Sequence, residues 1–121
     1  MNGLSMVIVG GGAGLGALLA KMAVEAGATG IGIIDIDAGA AEAALEHARD
    51  KGLPAVSAGA DIRTAAACDT AFAQMVAGLG RVDTLVNCAA IYPRAPLLEI
   101  RDEMWDAENA INIKGTYHMM V

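Results

Sequence analysis

Residues 7–16 read VIVGGGAGLG, three apolar residues followed by glycine at 10, 11, 12, 14 and 16. Glycine loses more backbone freedom on folding than any other residue, so this cluster implies a backbone that something must approach closely. Beyond it, Leu15, Leu18, Leu19, Met22, Ala23 and Ala26 fall on the i, i+3, i+4, i+7 stripe of an amphipathic helix. The stretch therefore predicts a strand, a glycine turn and a helix in immediate succession. Such an order aims free backbone N–H groups and the positive end of the helix dipole at one spot, which suits a phosphate.

The rest of the chain repeats the alternation. LSMVIV (4–9), GIGIID (30–35), AVSAGA (55–60) and RVDTLVNCAA (81–90) supply four strands. Between them lie the helix from Leu15, capped at Gly27, and an Ala-rich helix over 38–51, closed by Gly52 and Pro54. A third helix carries Cys68, Phe72, Met75, Val76 and Leu79. After a loop marked by Pro93 and Pro96, LLEIRDEMWDAENAINIKGTYHMMV is expected to be helical, with a break near Asn112–Gly115. Apolar strands separated by amphipathic helices imply a parallel sheet covered on both faces. Right-handed crossovers make this α/β fold doubly wound.

The 121 residues suffice for one domain. Hydrophobic residues make up 55% and charged residues 18%, a globular composition in which Ala and Gly must allow close backbone packing. A net charge of −6 argues against nucleic acid and anionic membranes as partners. No apolar run is long enough to span a bilayer, and the first positive side chain is Lys21, so no secretory signal is expected. Cys68 and Cys88 stand apart, with neither disulfide nor zinc spacing; no metal site is expected, and a reducing cytoplasm is the simplest location.

Asp35 closes the second strand, 19 residues after Gly16, near the ~20-residue spacing of a carboxylate that accepts from ribose hydroxyls. A carboxylate there repels a 2′-phosphate, and Lys21 is the only Lys or Arg in the first 48 residues, so NAD is favoured over NADP. Asp37 is the rival, read instead as a solvated helix N-cap.

These residues resemble the short-chain dehydrogenase/reductases. Gly10-x-x-x-Gly14-x-Gly16 has that family's spacing; the Gly-x-Gly-x-x-Gly of other Rossmann enzymes would need glycine where Leu15 stands. ADI (60–62), GRVDTLVNCAA (80–90) and Trp105 seven residues before Asn112 match three further family segments in order. The resemblance implies that Gly10, Gly14, Leu15 and Gly16 cradle the pyrophosphate and Asp35 binds the adenosine ribose. It further implies that Asp61 meets the adenine amino group, Ile62 offers its N–H, and Asn87 lies along the cofactor. Asn112 would be the one catalytic residue present, holding a helix break open and ordering a proton-relaying water.

Val9, Cys88 and Ala90 stand where the family has Thr, Asn and Gly, a pattern read as the joint loss of one polar tie. The tyrosines carry a more consequential departure: Tyr92 has Pro96 four residues on, Tyr117 has Val121, and no Ser occurs after Ser57. The family's Ser and Tyr-x-x-x-Lys are missing. Residues 1–121 are therefore expected to be the NAD-binding, Rossmann-type half of a longer oxidoreductase, cut after about four strands and inactive alone. Its substrate would be a small alcohol or carbonyl compound. An uncovered fourth strand would favour self-association, in keeping with a homo-oligomer. A non-catalytic dinucleotide-sensing module is the alternative; an FAD domain is disfavoured by the glycine spacing.

Overall fold

A computed structural model describes residues 2–121. Four parallel strands, β1 (Ser5–Val9), β2 (Gly30–Asp35), β3 (Ala55–Gly59) and β4 (Thr84–Asn87), form one sheet in the order β3-β2-β1-β4. The chain moves outward from β1 to β3, then returns across β1 to place β4 on its other side. That reversal opens a crevice at the C-terminal ends of the strands, beside the glycine turn.

Strand alternation sorts the core into two layers. Met6, Ile8, Ile31 and Ile33 point to one face, where they pack with α1 (Gly14–Glu25), α2 (Ala38–Ala43) and α3 (Glu46–Asp50). Val7, Val9 and Ile34 point to the other, against α4 (Ala65–Leu79) and α6 (Thr116–Met120). The sheet is thus covered on both sides, as the near-continuous apolar strands require. Gly32 illustrates the close packing expected of so much Ala and Gly: a Cβ there would lie 2.6 Å from Met75 Sδ.

Gly27 ends α1 at φ +86°, with Ala28 N–H donating to Ala23 C=O at 2.9 Å, the closing bond of a glycine C-cap. Asp37 caps α2 by accepting from Ala40 N–H at 3.0 Å, the role read for it from sequence. At the opposite end of the sheet, Asp83 accepts from Ser5 N–H at 2.8 Å and donates its own N–H to Ser5 C=O at 2.9 Å.

Three expectations about the helices and one about a side-chain tie need correction. The helix over 38–51 is two helices: Leu45 N–H turns to Glu42 C=O at 3.2 Å where the Leu45 side chain is completely buried in the core. The last stretch begins with a 3-10 turn, Leu97–Glu99, and is extended at Ile100 before α5 (Asp102–Glu108). The break near Asn112 is a widening: Asn109–Gly115 is π-helical and runs directly into α6. Val9 and Cys88 pack on opposite faces of the sheet, so they are not the two sides of one lost side-chain tie.

Candidate functional site

A cavity of about 270 Å³ lies at the C-terminal ends of β1, β2 and β4, lined by Gly10, Asp35, Asp61, Ile62, Cys88 and Ile91 among others. Its floor is the glycine turn. Gly10, at φ +71°, lets β1 turn sharply, and a Cβ there would come within 2.6 Å of Ala89 N and 2.7 Å of Ala89 Cα. Gly16 is held by its own loop more than by the sheet: a Cβ would strike Gly10 O and sit 2.8 Å from Gly11 Cα. Gly14, at φ +53°, differs, since a Cβ would meet nothing within 4 Å. Its left-handed backbone faces open space.

No side chain caps the N-terminus of α1, whose N-cap is Ala13, and no acidic residue lies in its first turn. The first-turn N–H groups, those of Gly14, Leu15 and Gly16, have no intrahelical partner and so are available to an anion. Leu15 is 65% exposed, beside this open helix start.

The Asp35 carboxylate reaches that turn. Oδ2 accepts from Gly12 N–H at 2.9 Å and Oδ1 from Asp37 N–H at 3.0 Å, which fixes the rotamer and leaves a lone pair on each oxygen. Gly12 was missed from sequence, where it was one more glycine in a run; a Cβ there would lie 2.9 Å from Asp35 Oδ2.

Asp61 lines the far end of the cavity and is bound to Arg63. Nε donates to both carboxylate oxygens at 2.9 Å, Nη2 to Oδ2 at 2.5 Å and the Arg63 N–H to Oδ1 at 3.0 Å. These bonds, the side-chain ones foremost, hold the Asp61 carboxyl below its ordinary range. Ile62 is buried beside it.

Asn87 and Asn112 are not among the cavity-lining residues; they form a hydrogen-bonded chain that shapes its wall. Asn87 Nδ2 donates to Thr116 Oγ1 at 2.7 Å, and its Oδ1 accepts from Ala89 N–H at 3.1 Å. Thr116 Oγ1 donates to Asn112 C=O at 2.7 Å. The Asn112 amide makes a matched pair with Ile91, accepting from its N–H and donating to its C=O, both at 2.9 Å. Thr116 was not singled out from sequence; its position four residues after Asn112, where a helical Thr can bond back to the i−4 carbonyl, was the available signal.

Among the described residues, no three His, Cys, Asp or Glu side chains are placed to hold a metal. Nor is any helix there long and apolar enough to cross a membrane. A capless helix start, an open left-handed glycine and a neighbouring carboxylate fit the adenosine diphosphate part of a dinucleotide.

Comparison with known proteins agrees. The short chain dehydrogenase family pattern matches residues 5–121. Sorbitol dehydrogenase of Cereibacter sphaeroides is 35% identical over 120 residues, 99% of this chain and 45% of that protein. NAD+-bound xylitol dehydrogenase superposes with a TM-score of 0.91 at 27% identity, covering 98% of this chain and 46% of that one. A Burkholderia cenocepacia protein with bound NADP gives 0.87 at 26% identity, covering 98% and 46%. The chain thus spans about half the length of most of the relatives it matches. With four family segments in order, the doubly wound sheet and a match across nearly its whole length, this chain belongs to the short-chain dehydrogenase family.

Proposed function

We propose that residues 1–121 are the cofactor-binding half of an NAD-dependent short-chain oxidoreductase acting on a small alcohol or carbonyl compound. The observation that carries this reading is the Asp35 carboxylate fixed on Gly12 N–H at the mouth of the cavity. Gly10, Gly14, Leu15 and Gly16 form the diphosphate cradle, and Asp35 accepts from the adenosine ribose hydroxyls. Asp61 and Ile62 meet the adenine edge. Asn87 shapes the wall along the cofactor. Asn112 holds the helical wall against Ile91 and positions the catalytic end. When bound, the nicotinamide supplies or accepts the hydride.

Preference for NAD over NADP rests on charge. A 2′-phosphate would sit against Asp35, and the first 48 residues offer only Lys21 as a cation. Among these 121 residues there is no Tyr-x-x-x-Lys, so we assign them binding without turnover. A second reading is a non-catalytic dinucleotide sensor. A coding sequence that continues past Val121 into a Ser and a Tyr-x-x-x-Lys supports the enzyme, and a stop codon supports the sensor. The chain's setting is the cytoplasm, and it pairs with copies of itself. For cofactor choice, calorimetric titration with NADH and NADPH is decisive. NADH should bind about tenfold or more tightly; equal affinities contradict the assignment of NAD.

A further inference from the structure

Ile62 lines the cavity, yet its carbonyl points away from it, towards the helical wall. There it accepts from His118 Nδ1 at 2.8 Å, across 56 residues of sequence, and through a longer bond from Cys68 Sγ at 3.6 Å. A carbonyl can only accept, so Nδ1 carries the hydrogen. One turn earlier, Gly115 presses on the same residue: a Cβ there would lie 2.6 Å from Ile62 Cγ1 and 2.7 Å from Cδ1. Positions 115 and 118 share a helix face, so two independent features of one face converge on one residue.

The same helical run holds the other lip of the cavity. Asn112 bonds both the N–H and the C=O of Ile91 at 2.9 Å, and Ile91 lines the cavity opposite Ile62. One strut therefore sets the separation of the two lips. His118 does not itself line the cavity; it acts through Ile62.

We propose that His118 is a positioning residue for adenine recognition: by holding the Ile62 carbonyl it anchors residue 62, so that the N–H of the preceding peptide unit and the adjacent Asp61 carboxylate meet the base edge. The inference rests on the assignment of Asp61 and Ile62 to adenine. Adenine presents an amino donor and a ring-nitrogen acceptor there, whereas hypoxanthine presents the reverse. Misplacing residue 62 should therefore cost discrimination between the two bases more than it costs overall affinity.

The test is calorimetric titration with ADP-ribose and with its hypoxanthine counterpart, inosine diphosphate ribose. The unaltered chain should prefer ADP-ribose about tenfold or more. His118→Leu should reduce the preference to about twofold or less. His118→Asn, whose amide nitrogen replaces Nδ1, should restore it. His118→Gln, whose amide nitrogen lies nearer the place of Nε2, should not, and it serves if the Leu variant fails to fold. A preference unchanged in both the Leu and Gln variants, or unchanged in Gln if Leu does not fold, overturns the role of His118, even if melting temperature drops. An unaltered chain that binds neither ligand overturns the functional reading beneath it.

Discussion

The two sides of the sheet are built differently. In the central strands β1 and β2 every residue but Asp35 is buried, whereas on β3, the edge beyond them, only Ala58 is. On the β4 side all four strand residues are only half-buried. The segment beyond β4 exposes large apolar groups, with Leu98 96%, Val121 82% and Trp105 58% accessible. The first region buries its strands, while α1 still shows Leu15, Leu18 and Met22 to solvent. The second presents a strand edge and a helix face that remain available for further contacts. The cavity lies on the seam, its glycine floor on the first side and its Cys88–Ile91 lip on the second.

The sharpest way to break the contrast is to disturb the first side. Gly10→Ala places a side chain at φ +71° and against the backbone of Ala89, which should cost about 3 kcal/mol. Gly80→Ala, at φ +77° with nothing within 4 Å, carries only the backbone penalty of about 1 kcal/mol. Urea unfolding of the two variants measures the difference. Next comes the seam: Asn112→Ala leaves both polar groups of Ile91 without their partner and should cost about 2 kcal/mol by the same method.

On the second side the effect is on association. Light scattering should find the unaltered chain self-associated at roughly tens of micromolar, since its open strand edge and exposed apolar groups can pair between copies. Leu98→Lys with Trp105→Lys should shift it towards monomer while changing stability by about 0.5 kcal/mol or less. An unaltered monomer contradicts the predicted pairing.

The clasp joining β1 to β4 responds to pH. Arg81, then Ser5 N–H, hold the Asp83 carboxyl below its usual range. A carboxyl depressed on folding stabilises above its unfolded pKa, about 3.9, and that contribution fades as pH falls through the folded value. Asp83→Asn should therefore lower the melting temperature at pH 7, with the two curves converging in strong acid. The smallest effect concerns Ser5, whose buried Oγ has no hydrogen-bond partner. Ser5→Ala should leave stability unchanged or raise it by up to about 1 kcal/mol.

The same division decides which features were legible in the sequence. Strand and helix order could be read because β1, β2 and α1 are specified by local periodicity and by glycines such as Gly27 that end an element where they stand. Asp35 could be found because its distance from the glycine turn is set by one crossover. The split at Leu45 could not, since it comes from a buried side chain drawing the backbone tight, a tertiary demand on an Ala-rich sequence with good helix propensity throughout. Gly12 on Asp35, Arg63 on Asp61 and Thr116 on Asn87 were hidden for another reason. Each is a partner chosen by three-dimensional proximity, and the residue types alone, a glycine, a surface arginine and a helical threonine, mark nothing.

The most direct measurement is calorimetric titration of NADH and NADPH into the unaltered chain and into Asp35→Ala. The account predicts that the alanine variant binds NADH about tenfold more weakly and loses most of its discrimination against NADPH. NADH affinity and cofactor preference both unaffected by the loss of this carboxylate would contradict the proposed seat of the adenosine ribose.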